Sequence, residues 1–329
     1  MTKNVLCITL NPAIDMTVSL DVLTLGAVNR ATSSQLNAAG KALNGAHVLS
    51  DLGMNAVATG FLGADNDGIF KKFFDVREAL HHQGEAGLLI DEFERVAGIT
   101  RTNIKLVDDF YGIGRTTDVN GRGFVVEEMD KLHFFDRVSK LAKNADAVLV
   151  AGSLAVGFEL SDFEHLLALL TDVHDKVAVD VSGEALKVAI KHKLWLIKPN
   201  NDELFEAFGV RADDFGSQVA LFDELGCDIE HIFISMGSQG VHWIRGDKER
   251  EFYHAVPPTM KVKSTVGAGD TFVAGMIFGL LQGEAPEVVL ARATALSAHA
   301  VSIVGVGVPD GERLTSLIKQ VQIQKVAVL

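Results

Sequence analysis

Cysteine is nearly absent. Cys7 and Cys227 are the only two, far apart and without C-x-x-C spacing, which argues against a disulfide scaffold or a cysteine zinc site and predicts a reducing compartment. Long apolar runs are missing too. The run that follows Lys3-Asn4 meets Asn11-Pro12 at once, too short for a secretory signal core, and no later stretch approaches a membrane span. Basic residues are outnumbered, 30 Lys and Arg against 43 Asp and Glu, and a net charge of -13 speaks against a nucleic-acid surface. An anionic ligand would need a local basic pocket against that field. No strand-like run is followed by G-x-G-x-x-G, which removes a nicotinamide-binding Rossmann enzyme. Gly40-Lys41 is followed by Ala42 rather than Ser or Thr, which removes a P-loop ATPase. No internal repeat or low-complexity segment is present. These absences predict a soluble cytoplasmic protein with neither membrane nor nucleic acid as partner.

What is present reads as α/β. Short β-rich runs at 5–10, 56–62, 147–151, 177–181, 195–198 and 232–235 alternate with helical patterns at 41–52, 69–80, 131–143, 161–171, 184–190 and 202–208. Such alternation predicts a mostly parallel sheet covered on both faces. Purely apolar runs such as Ala147-Val148-Leu149-Val150 suit strands buried on both sides. Two segments, 17–35 and 102–126, break the rhythm with extended, hairpin-like patterns. They predict a small second sheet over the strand edges where α/β proteins bind ligands.

The segment Lys263-Ser264-Thr265-Val266-Gly267-Ala268-Gly269-Asp270-Thr271 carries the strongest chemical signal. Gly267 and Gly269 permit a tight turn with no side chain over its amides, and the apolar run at 272–281 has helical length. A helix N-terminus presents unpaired N–H groups to an anion there. Within that hole Asp270 can accept a proton from a hydroxyl that attacks a phosphoryl group. The string alone is equally a tight turn with an acidic residue favoured by the helix dipole.

A resemblance supplies the context. Ala39-Gly40-Lys41-Ala42-Leu43-Asn44 resembles the N-terminal glycine-rich signature of the ribokinase-like (PfkB) sugar kinases, and 265–271 resembles their C-terminal signature, with Asp270 at the base position. Thr9-Leu10-Asn11-Pro12-Ala13-Ile14-Asp15, Gly26-Ala27-Val28-Asn29-Arg30 and Gly60-Phe61-Leu62-Gly63-Ala64-Asp65-Asn66 place the likeness in the sugar-phosphate branch. It runs in order along essentially the whole chain. It implies one ribokinase-like α/β/α kinase domain, with a small β lid from about 11–35 and 101–126. It also implies ATP-dependent phosphorylation of D-fructose 1-phosphate at C6, with tagatose 6-phosphate or fructose 6-phosphate as alternative acceptors. A non-catalytic sugar-phosphate sensor is the reading from another class, and the intact Asp270 argues against it.

By the same resemblance Gly267, Ala268, Gly269 and Asp270 are catalytic. Asp15, Gly40, Lys41, Asn44, Arg101, Asn103 and Ser153 bind the sugar phosphate, with Lys41 and Arg101 on its phosphate. Physically, Asp15 follows a strand and an Asn-Pro turn, and Arg101, Asn103 and Lys105 alternate along one extended run and so share a face. Lys198, Asn200, Ser235, Gly237, Gly240, Ser264, Thr265, Val266, Gly267 and Gly269 fall on the ATP side. Asn200-x-x-Glu203 resembles the family motif that organises Mg2+ and its waters, and reads equally as a helix capping box. Ala42, and Ala155 in place of a proline after Ser153, depart from the family pattern. Apolar lid residues such as Val18, Leu20, Ile104 and Leu106 predict a homodimer through the lid.

Overall fold

The computed structural model describes residues 2–110, 113–246 and 250–327. Its centre is a ten-stranded sheet. From Leu89–Val96 at one edge the order runs through Asn55–Gly63, Asn4–Thr9, Ala147–Ala151, Val177–Asp180, Leu194–Ile197 and Ile229–Ser235, every pair parallel. Val241–Arg245, Glu251–Val256 and Gln322–Val326 complete the other edge as antiparallel strands. Side chains alternate across a strand, and the two cores record it. Leu6 and Ile8 pack into one while Val5 and Cys7 pack into the other. Helices cover both faces.

The expected strands and helices all form, within a few residues at their ends. The helix Glu128–Ala142 begins earlier than its pattern, because Glu127 and Asp130 make a reciprocal capping box. Four strands escaped the pattern: Leu89–Val96, Val241–Arg245, Glu251–Val256 and Gln322–Val326. So did the helices Phe215–Glu224, Pro286–Ala300 and Gly311–Gln320. Among the described residues no helix is long and apolar enough to cross a membrane.

A separate four-stranded sheet has the order Ser33–Ala39, Ala13–Leu20, Arg101–Phe110, Ile113–Asn120. Each excursion is an antiparallel hairpin, and the two join through a parallel pair in register from Ala13↔Arg101 to Leu20↔Asp108. The second excursion is shorter than 102–126: its tip at 111–112 lies outside the described residues, and 121–126 leaves the sheet. There Val125 bridges to Val156, while Phe124 and Val126 are buried in the main core.

Candidate active site

The turn at 264–267 leads into the helix Ala268–Leu281 as its sequence suggests. The Ser264 hydroxyl accepts from the Val266 N–H at 3.2 Å, and Gly267 caps the helix at φ 82, with no side chain closing the end. The Thr271 N–H reaches the Gly267 carbonyl at 2.8 Å, so the intrahelical ladder starts there. Earlier amides lie open, and the Ala268 N–H meets the Thr265 carbonyl only at 3.5 Å. The helix from Asp270 to Ile277 is buried, which fixes where those amides point.

Asp270 is 9% exposed, and its Oδ2 accepts from Asn44 Nδ2 at 2.7 Å. Asn44 comes from the helix Lys41–Asp51, which packs on the helix of Asp270. Burial, followed by the negative charge of Asp180, pushes the Asp270 carboxyl up to about 6, against the pull of Asn44, Lys41 and Lys198. Asp180, at the end of its strand, accepts from Lys41 Nζ and from Lys198 Nζ at 3.4 Å each. Burial would raise the Asp180 carboxyl, but the two ammonium groups outweigh it and hold it below the ordinary range. Burial likewise depresses Lys41, and the carboxylates of Asp180, Glu203 and Asp270 overcome it, so Lys41 titrates above its usual value.

Beside Asn44 opens a cleft of about 730 Å3 whose walls include Asp15, Lys105, Lys72, Ser264 and Val266. Lys105 Nζ donates to Asp15 Oδ2 at 2.5 Å and Asn103 Nδ2 to Asp15 Oδ1 at 3.3 Å, so two of the three residues predicted to share a face meet at Asp15. Arg101 and Ser153 lie next door rather than on the cleft wall. The Arg101 guanidinium donates to the carbonyls of Asn11 at 2.9 Å and Pro12 at 3.3 Å, and burial lowers its affinity for the proton. Asn11 Nδ2 in turn donates to the Ser153 hydroxyl at 3.1 Å. A methyl group on Gly152 would touch Lys41 Cβ at 3.8 Å, so Gly40, Lys41, Ser153 and Arg101 form one neighbourhood.

On the other side of the open helix end, Asn200 and Glu203 make the capping box. The Glu203 N–H donates to Asn200 Oδ1 at 2.7 Å and the Asn200 N–H to Glu203 Oε2 at 2.8 Å. Lys198 is buried beneath them, and a Cβ on Gly269 would lie 3.4 Å from its Nζ. Gly237 opens the short turn Gly237–Gln239 after the strand that ends at Ser235. A Cβ on Gly240 would sit 1.9 Å from the Ala255 carbonyl oxygen, so strand packing alone requires glycine there. A second hollow of about 350 Å3 adjoins Lys263, with Lys261, His299 and Arg313 on its walls. His299 Nδ1 is buried there without a hydrogen-bond partner.

Asp180, Lys72 and the hollow at His299 were not foreseen. Asp180 had one local signal, a charge closing the otherwise apolar Val177-Ala178-Val179. Lys72 had none, since it sits in an ordinary helical pattern, and His299 lies in the helix Pro286–Ala300, which the pattern did not show.

The model of the pfkB family of carbohydrate kinases matches residues 5–312. A curated 1-phosphofructokinase of Vibrio cholerae is 42% identical over 324 residues, 98% of this chain and 97% of the relative. That of Escherichia coli K12 is 36% identical over 326 residues, 98% of this chain and 99% of the relative. Among solved structures, a possible 1-phosphofructokinase from Thermotoga maritima superposes with a TM-score of 0.80 at 24% identity, covering 98% of this chain and 100% of that one. Phosphofructokinase-2 of E. coli, in complex with substrates and products, gives 0.78 at 21% identity over 97% and 99%. The two structural likenesses concern the fold.

Proposed function

This chain belongs to the pfkB family of carbohydrate kinases, and on that premise we propose that it transfers the γ-phosphoryl group of ATP to the C6 hydroxyl of D-fructose 1-phosphate, giving fructose 1,6-bisphosphate. The observation that carries the reading is Asp270. It is a buried carboxylate tuned to about 6, at the mouth of an open helix N-terminus and bonded to a residue of the sugar-sized cleft. A sensor has no use for such a base.

The chemistry follows from position. Asp15 and Asn44 hold sugar hydroxyls, and Asp270 takes the proton from the attacking oxygen. Amides of Ala268, Gly269 and Asp270 meet the charge that gathers on the transferring phosphoryl, where preorganised dipoles matter most. The triphosphate lies along Lys198, Asn200, Ser235, Gly237 and 264–266, and the base end of ATP falls towards the hollow at Lys263 and His299. One oxygen of Glu203 is committed to the capping box, and the other would hold Mg2+, an ion that prefers oxygen ligands. When bound, Mg2+ neutralises phosphate charge.

Release of ADP measured with fructose 1-phosphate, fructose 6-phosphate and tagatose 6-phosphate tests the acceptor. The highest kcat/KM belongs to fructose 1-phosphate in this reading, and a higher value for either other sugar overturns it. Arg101→Ala should raise KM for the sugar phosphate ~10- to 150-fold, the range for losing a charge-assisted contact, and leave KM for ATP near wild type. A rise confined to ATP would mean that the two halves of the site are assigned in reverse.

We also propose that the small sheet acts as a lid and pairs two chains, in the cytoplasm. Val18, Ile104 and Leu106 are only half-buried, and Leu25 and Val28 in the connection at 21–32 are 90% and 84% exposed. Leu20 does not contribute as expected, because it is buried within the monomer. A two-fold partner covers the apolar surface that the four strands leave exposed. Light scattering should give a dimer at assay concentration, and an active monomer would refute it.

A further inference from the structure

The charge cluster under the open helix end has an arrangement that the transfer reaction alone does not explain. Asp180 is 2% exposed and Lys198 6% exposed, whereas Lys41 is 36% exposed. One oxygen of Asp180 accepts from two ammonium groups that reach it from different elements, Lys41 at the start of its helix and Lys198 after the strand Leu194–Ile197. Asp180 shares its single charge between two lysines, so neither ammonium is fully neutralised by it. Lys198 brings its ammonium beside Gly269, in the first turn of the helix whose amides are open. Lysine is a point charge on a flexible stem, and two of them side by side repel. A shared carboxylate is what can hold both in place.

We propose that Asp180 is a positioning residue: it gathers the ammonium groups of Lys41 and Lys198 beside the open amides, so that they meet the phosphoryl group together. The proposal rests on the kinase reading above. It has a consequence for the base, whose charged neighbours are Asp180, Lys41 and Lys198, with Asn44 as its hydrogen-bond donor. Asp180 raises the Asp270 carboxyl and the lysines lower it, so removing one or the other moves the base in opposite directions.

The test uses the full-length protein, with kcat/KM followed against pH and ATP affinity measured by calorimetry. Asp180→Asn should weaken ATP binding at least ~10-fold, as for a lost charged contact, and move the acid limb of activity below its wild-type position. Lys198→Met should also weaken ATP binding but move the acid limb upward. In the double variant the loss of affinity should be smaller than the sum of the two single losses, because Asp180 then has only Lys41 left to place. Unmoved acid limbs, or additive losses of affinity, overturn the proposal. If Asp180→Asn does not fold, Lys198→Met decides: wild-type ATP affinity and an unmoved limb sink the idea. Wild-type turnover on no sugar phosphate would instead defeat the kinase reading, and the calorimetric arm still reports on Asp180.

Discussion

Asp270→Asn should cut turnover by at least ~10²-fold, the lower end of what loss of a general base costs, while ATP still binds. The same change should stabilise the protein at neutral pH. The carboxyl of Asp270 is raised from 3.8 to about 6 in the folded state, first by burial. Below pH 3.8 it is protonated whether the chain is folded or not, and nothing is lost. Between there and about 6 the unfolded chain ionises while the folded one keeps its proton, so stability falls as pH rises. Above about 6 the deficit is constant, on the order of 3 kcal/mol. An asparagine escapes it and can still accept from Asn44. Melting curves at pH 7.5 and pH 4 check this: the variant should melt higher at the first and lose most of its advantage at the second. A variant with near-normal turnover would sink the base assignment, and one equally stable at both values would sink the account of its tuning.

Gly267→Ala should be nearly as damaging to catalysis by a different route. Gly267 has φ 82, and a Cβ there would lie 2.4 Å from Val306 Cγ1. The backbone strain alone costs on the order of 1 kcal/mol, and the clash forces the turn to move. Because the open amides take their direction from this residue, displacement by a fraction of an ångström should lower kcat by ~10²-fold, as for loss of an oxyanion-type donor. Sugar-phosphate KM should hardly change, since Asp15 and Asn44 stand on other elements. Gly68→Ala is the control: its Cβ meets nothing within 4 Å, and its kinetics should match wild type. Equal behaviour of the two variants would show that the turn does not position the transfer.

The central strands were legible because burial on both faces leaves no polar alternation to confuse, as in Val177-Ala178-Val179 and Leu194-Trp195-Leu196-Ile197. Leu89–Val96 was hidden because it lies at the sheet edge, where Asp91, Glu92, Glu94 and Arg95 replace apolar residues and two of these acids pair with Arg137. Pro286–Ala300 was hidden by its composition, since alanine on every side leaves almost no stripe to read. In the site, the turn before Asp270 announced itself because its logic is local. Asp180 did not, since Lys41 lies 139 residues away in sequence and only the sheet order brings them together. Arg101 shows the same limit in reverse. Its charge was plain in the sequence, but not that backbone carbonyls at Asn11 and Pro12 would hold it at the rim.

The parallel pairing of Ala13 with Arg101 fixes an order of events while the chain is being made. The first hairpin, Ala13–Leu20 with Ser33–Ala39, leaves the ribosome long before its neighbour exists. At ~5–20 residues per second it waits roughly 4 to 14 seconds for the strand Arg101–Phe110. A lone hairpin is barely stable in water, so throughout that interval it is an open edge that any extended segment can join. Asp15 also lacks Lys105 until then, leaving that wall of the cleft unformed. The nascent chain is therefore most exposed to mispairing and to holding chaperones before residue 101 emerges, and a translational pause just upstream would lengthen that window.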